Sequence, residues 1–249
     1  MLFRSRQARP EARGISWGAT GAVGLSGLSH GGSGFALALA ALYRASGETS
    51  YRRTAFAAVE YEATLFAPGL GNWRDLRGFR GDDVQQVVRC GCSWCHGAPG
   101  IALVRAALLN LLADDLSDIE QLTLERELEL ALTTTRAMLA HRPQTMVDDL
   151  CCGSAGSIDI LLECGRLLDR PELMKAAHDE ANARAAALQT SRYWFTGQGM
   201  AGADLSLFKG LASQVYLQAR LIAPDIVPCV LLPVAVRTGV RLDHRTQGG

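Results

Sequence analysis

The sequence predicts an all-α fold in two concentric layers, and three observations carry that reading. Leu and Ala supply 36 residues each, whereas Ile and Val together supply 20 of the 249. That balance favours helices over strands. One pattern also recurs along the chain: a turn of small residues with glycines three apart, followed at once by an apolar stretch of helical length. Finally, each of the first three apolar stretches is followed by a more polar segment with helical spacing. A helix that is apolar all round is enclosed by neighbours, while one with a polar stripe has a solvent face. Apolar helices therefore make the inner layer and amphipathic ones the outer.

The elements follow in order. Ser29-His30-Gly31-Gly32-Ser33-Gly34 leads into an inner helix over FALALAALYRA, and an outer helix is expected over Tyr51–Phe66. Ser50 is its candidate N-cap and Pro68 lies just beyond its end. Trp94-Cys95-His96-Gly97-Ala98-Pro99-Gly100 opens the second copy, IALVRAALLNLL, with an outer helix over Asp118–Ala140. Cys151-Cys152-Gly153-Ser154-Ala155-Gly156 opens the third, SIDILLECGRLL, with an outer helix over Glu172–Leu188 behind Pro171 at a first-turn position. The fourth copy is degenerate: Phe208-Lys209-Gly210-Leu211-Ala212-Ser213, then QVYLQARLI. The first glycines stand 66, 56 and 57 residues apart, and a period near 57 suits two helices plus loops. Residues 1–14 read as an N-terminal polar segment, 15–233 as the helical domain and 234–249 as a C-terminal tail. Glycine at each inner-helix start has a steric reading, since helix ends converging on an axis need close backbone approach. It also has a functional one, in which the unpaired N–H groups of those ends face a shared site.

Composition excludes several classes of function. Lys+Arg and Asp+Glu are 25 each, so the basic surplus that phosphate neutralisation requires is missing and no nucleic-acid partner is expected. An apolar fraction of 48% excludes a disordered chain. Met1–Gly14 carries four arginines but no apolar run, which is not a secretory signal. The longest apolar runs, such as Phe35–Tyr43 and Cys229–Val236, fall far short of the ~20 residues of a membrane span. A cytoplasmic protein is therefore expected. Seven cysteines, an odd number in a chain too long to need disulfide staples, read as reduced thiols or metal ligands.

Chemistry gathers immediately ahead of the glycines, at His30, Cys95-His96 and Cys151-Cys152. Equivalent repeats place these residues at the same end of adjacent inner helices. Thiolate and imidazole are preferred zinc ligands, and three protein ligands with an open fourth position is the catalytic arrangement. Cys95, Cys151 and Cys152 supply three sulfurs. The rival is a local knot within Cys90-Gly91-Cys92-Ser93-Trp94-Cys95-His96, but such knots pair two distant ligand pairs and only one is present. Cys164 reads as a core residue and Cys229 has no assigned role. His141 and His178 read as surface residues, and His244 lies in the tail. His30 is distinguished by its register with His96 and Cys152, one residue before the first glycine, and an imidazole there can exchange protons near neutral pH. Asp82-Asp83 and Asp148-Asp149 read as solvated loop charges or helix caps rather than a catalytic carboxylate cluster.

GLSHGGSG, SWCHGAPGIAL and LCCGSAG, in this order, resemble the lanthionine synthetase C-like cyclase family, in particular the C-terminal cyclase domain of class II (LanM-type) lanthipeptide synthetases. GNWRDLRG at 71–78 and the segment 207–233 support the resemblance, which covers residues 15–233. It implies an α/α toroid, here an incomplete ring of about four hairpins against the seven of the family. It implies zinc on Cys95, Cys151 and Cys152, where many relatives have Cys-His in place of the vicinal pair. His30 matches the active-site histidine, and His96 occupies a variable position near the metal with a catalytic role expected. The implied reaction adds a cysteine thiol of a dehydrated precursor peptide to dehydroalanine or dehydrobutyrine, forming lanthionine or methyllanthionine. An upstream dehydratase domain is the implied partner, and an acidic residue that the family draws from an earlier repeat has no counterpart here. The alternative reading is a non-catalytic zinc-containing peptide- or thiol-binding module, or an inactive truncated synthetase. An open arc also exposes an apolar inner-helix edge, so self-association of the chain alone is expected.

Overall fold

The computed structural model describes residues 8–18, 23–79, 83–141, 147–191, 194, 196 and 204–234. Among them are α1 (Gly32–Ser46), α2 (Thr49–Thr64), α3 (Ala98–Leu111), α4 (Asp118–His141), α5 (Ser154–Leu167), α6 (Pro171–Ser191) and α7 (Ala212–Ile222). Three hairpins, α1/α2, α3/α4 and α5/α6, are followed by α7 as a fourth inner helix. Each inner helix packs on its outer partner, where it has one, and on the next inner helix, so α1, α3, α5 and α7 stand side by side in an arc.

Burial follows the apolar pattern. Every residue of α3 is buried, and so is nearly all of α5, because an inner helix in mid-arc has neighbours on all sides. On α4 the buried residues Leu124, Leu128, Ala131, Leu132, Thr135 and Leu139 recur at three- and four-residue spacing, the single inward stripe of an outer helix. The terminal inner helix α7 buries one face only. Val215 is 73% and Ile222 82% exposed, so this helix presents apolar side chains to solvent.

Several boundaries differ from the sequence reading. Glu48, not Ser50, caps α2: its carboxylate accepts from the Ser50 backbone N–H at 3.3 Å. The helix ends at Thr64 because Phe66–Ala67 (β3) leaves to pair antiparallel with Asn72–Trp73 (β4). A second ribbon pairs Ala8–Pro10 (β1) with Ile15–Trp17 (β2). These strands of two or three residues are too short to show alternation. Among the described residues no outer helix follows α7. His244 and Asp82 lie outside the described residues.

The glycines serve the entry loops. In three repeats the N–H just after the first glycine bonds a carbonyl seven residues upstream: Gly32 to Leu25 at 2.9 Å, Ser154 to Val147 at 3.0 Å and Leu211 to Asp204 at 2.7 Å. The loop thus doubles back over its own helix start. A Cβ at Gly31, Gly97, Gly153 or Gly210 would overlap the carbonyl oxygen six residues upstream, and Gly97 additionally adopts φ 85°. The steric reading stands with a different partner: the glycine admits its own entry loop, not a converging neighbour.

Buried ion clusters tie the layers together. Arg105 on α3 reaches Glu62 on α2 (2.8 Å), Glu127 on α4 (2.7 Å) and the Ser33 hydroxyl on α1 (3.2 Å). Arg220 on α7 reaches Asp159 (2.8 Å) and Glu163 (2.5 Å) on α5, and donates to the Pro224 and Val227 carbonyls. Arg105 and Arg220 are fully buried, and a buried cation is tolerated because carboxylates and carbonyls satisfy its donors.

Candidate metal centre

The entry loops of α3 and α5 bring three sulfurs together. Cys95 Sγ lies 3.8 Å from Cys152 Sγ, and Cys152 Sγ lies 3.5 Å from Cys151 Sγ. All three ligand atoms fall within 4.8 Å of one another. A tetrahedral ion with metal–sulfur bonds of about 2.3 Å separates its sulfurs by roughly 3.8 Å, so the donor set fits a thiophilic metal without rearrangement of the loops. Among the described residues this is the one such group, and Cys90 and Cys92 stay outside it. They belong instead to backbone bridges, Cys90 opposite Arg74 and Cys92 opposite Gly97.

The loops are fixed by hydrogen bonds that the cysteines themselves make. The Cys152 N–H donates to the Asp149 carboxylate at 2.7 Å, the Cys151 N–H to the Phe208 carbonyl at 3.0 Å. The Ser93 hydroxyl lies 3.3 Å from Cys95 Sγ. Asn72 anchors the α3 entry, donating to the Gly91 carbonyl (2.9 Å) and accepting the Ala98 N–H (3.2 Å). From the fourth repeat, Lys209 places its Nζ 2.8 Å from Cys152 Sγ.

Hydrogen bonds from Cys151 and Cys95 draw the Cys152 thiol far below its ordinary value against the opposing effect of burial, and Lys209 adds to the same direction. Cys151 is pushed up by the hydrogen bonds to Cys152 and Cys95, then by burial. At Cys95 the bond from Cys151 pulls down, but Cys152 and burial outweigh it and the net shift is upward. Burial pulls Lys209 down, but the bond to Cys152 and the charges of Asp149 and the cysteines raise it on balance.

His96 follows Cys95 in the α3 entry loop, and His30 stands in the entry loop of α1. The rings of His30 and His96 stack with centroids 4.6 Å apart and planes within 12°. His30 is exposed, and His96 is 2% exposed with its Nε2 lacking a hydrogen-bond partner in the structure. Burial, then the charges of Arg77 and His30, lower His96 to about 4. All five sequence-predicted site residues therefore occupy neighbouring entry loops. Arg77 adds a cation on this side, clamped on Asp75 by bonds of 2.9 and 2.6 Å.

Other sequence readings can now be placed. Cys164 is fully buried, and His141 and His178 are exposed, as expected. Cys229 sits with its Sγ 3.5 Å from Asp159. Asp83 caps a 3₁₀ turn on the surface. Asp148 and Asp149 are not solvated. Both are buried, Asp148 paired with Arg184 and accepting from the Ser154 hydroxyl, Asp149 capping Cys152. Sequence reasoning passed over Lys209, Ser93 and Asn72 as functional residues. For Lys209 the signal was available, since it precedes Gly210 as His30, His96 and Cys152 precede their glycines.

Fold and site together define a class: an arc of inner and outer helical hairpins with a three-sulfur, metal-competent centre at the inner-helix entrances. The family model described as lanthionine synthetase C-like protein matches residues 20–232, and the chain belongs to that family. No curated protein matches its sequence. Among solved structures it is similar to nisin cyclase, with TM-score 0.57 and 16% identity over 81% of this chain and 47% of that one. That likeness shows the α/α toroid fold, of which this chain spans about half the length.

Proposed function

We propose that the chain is the zinc-bearing part of a lanthipeptide cyclase, forming lanthionine or methyllanthionine thioethers in a dehydrated, ribosomally made precursor peptide. The observation that carries the reading is the convergence of Cys95, Cys151 and Cys152 within 4.8 Å, next in the chain to the His30–His96 stack. Family membership supports the reaction class. The motif wording GLSHGGSG, SWCHGAPG and LCCGSAG supports a class II cyclase that works on the product of an upstream dehydratase domain. The free thiols support a cytoplasmic site of action, and among the described residues no helix is long and apolar enough to cross a membrane.

The reaction joins a peptide thiol to the β-carbon of a dehydro residue. The new C–S bond forms as the π pair moves toward the carbonyl, and the α-carbon then takes a proton. Cys95, Cys151 and Cys152 would hold a zinc ion, which would supply Lewis-acid chemistry favouring the thiolate form of an incoming sulfur. His30, exposed at the mouth of the loops, accepts the thiol proton and returns it to the α-carbon. His96 backs the His30 ring through the stack and shares in orienting it. Asp149, Ser93 and Asn72 hold the ligand loops in place.

Zinc content and thioether formation test the proposal together. The expected result is about one zinc per chain and loss of free thiol from a dehydrated peptide, both abolished in Cys152→Ala. Zinc content unchanged in that variant overturns the ligand set. Peptide binding without loss of free thiol overturns the cyclase reading in favour of a binding module.

A further inference from the structure

We infer that Lys209 is a positioning residue of the sulfur centre, a cation that offsets the charge of the third thiolate. The inference rests on reading Cys95, Cys151 and Cys152 as zinc ligands. Three thiolates and one divalent ion carry a net formal charge of −1, whereas a set with one neutral ligand in place of a thiolate carries none. An uncompensated charge in a partly buried loop cluster is costly, and Cys95 is 6% exposed. Lys209 offsets one unit of it, with its Nζ 2.8 Å from Cys152 Sγ, and the need is greater because the Asp149 carboxylate on the Cys152 N–H adds a further negative charge that also acts on Lys209.

The placement is built by the fold. The Phe208 carbonyl accepts the Cys151 N–H at 3.0 Å, locking the fourth-repeat loop to the ligand loop one residue before Lys209. The Phe208 ring rests on Trp94, 5.3 Å between centroids, which ties the same loop to the residue preceding Cys95. The Ser206 hydroxyl accepts the Lys209 N–H at 3.3 Å. Arg77 also acts on Cys95 and Cys152 by its charge, but its guanidinium is committed to Asp75. Among the described residues Lys209 is therefore the cation in contact with a ligand sulfur. An N–H···S bond to that sulfur favours its anionic, ligating form. The register completes the picture: the residue before each first glycine is imidazole, imidazole, thiol and ammonium in the four repeats.

Zinc affinity of the whole chain, read by competition with a chromophoric chelator at one pH, tests this. Lys209→Met is expected to bind zinc about 10- to 100-fold more weakly, the range typical of partners behind metal ligands. Lys209→Arg, which keeps the charge, is expected to stay close to wild type. In the cobalt-substituted chain the thiolate-to-metal charge-transfer band shifts in Lys209→Met and not in Lys209→Arg. Equal affinity and an unshifted band in Lys209→Met overturn the inference, and so does an equal loss in both variants. Lys209 is half-exposed, so an unchanged thermal melt by circular dichroism separates its effect on the centre from unfolding. A wild-type chain that takes up no zinc overturns the ligand reading itself, a result distinct from any difference between variants.

Discussion

Replacing Arg105 with Met removes the cation that, among the described residues, faces both Glu62 and Glu127. Arg105 and Glu62 are 0% exposed and Glu127 is 8%. Methionine fills much of the aliphatic stem's space but leaves two buried carboxylates without the guanidinium that bonded them at 2.8 and 2.7 Å. Glu62 keeps the N–H groups of Gly27 (2.7 Å) and Ser33 (3.0 Å) and the Ser33 hydroxyl (2.5 Å), so the charge is softened rather than stranded. Breaking a buried pair by removing one member costs about 3–5 kcal/mol, a large share of the roughly 5–15 kcal/mol of an ordinary domain. At about 2–4 °C per kcal/mol for a chain of this size, Tm should fall by roughly 6–20 °C. Urea denaturation followed by helical circular dichroism gives the free energy directly. Glu62→Gln sharpens the test: it should destabilise the wild type but relieve like-charge repulsion in Arg105→Met. A loss below about 1 kcal/mol for Arg105→Met, or simple additivity in the double-mutant cycle, refutes the cluster as a stabilising element.

Three further outcomes are expected. Gly97→Ala meets both a positive φ and the Gly91 carbonyl, whereas Gly47→Ala at φ 71° meets open space. The first should cost upwards of about 2 kcal/mol and the second about 1 kcal/mol, and equal losses in denaturation would contradict the entry-loop explanation. Burial pushes the Asp75 carboxyl up, but Arg77 hydrogen bonds and the charges of Arg77 and Arg89 bring it from 3.8 down to about 2. A value lowered on folding stabilises above the unfolded value and is lost as pH falls through the folded one. Asp75→Asn should therefore be less stable than wild type at pH 7, by about 1 kcal/mol given the exposure of both arginines. That gap should narrow between about pH 4 and 2, and a gap indifferent to pH would remove the ion pairs as its cause. For the metal, Cys151→Ala should abolish zinc retention while Cys90→Ala leaves it intact, as measured by metal content after desalting. The reverse pattern would favour a local knot around Cys90 and Cys92.

Much of this was legible in the residues. The helix pairs follow from runs such as IALVRAALLNLL beside the charge-laced segment from Asp118, and the inner-outer order follows from which run is apolar all round. The shared register of His30, His96 and Cys152 marked the site end of the helices. Capping and burial were less legible. Glu48 displaced Ser50 at the start of α2, and Phe66 left the helix for Trp73, because competing local acceptors and a distant strand partner decide such ends. Asp148 and Asp149 read as solvated loop charges or helix caps, and Asp149 does accept the Cys152 N–H, but the burial was hidden: Arg184 lies 36 residues from its partner Asp148, a separation no local pattern reveals.

The sequence by itself determined the class of fold, the repeat and the residue types available for chemistry, since periodicity and spacing are local properties of a chain. Only the tertiary structure decided which sulfurs meet, what the glycines accommodate and that Lys209 reaches Cys152 across 57 residues. Those depend on how loops from separate repeats pack against one another. That packing is set by hydrogen bonds such as Cys151 to Phe208 and by buried ion clusters, whose partners are distant in sequence.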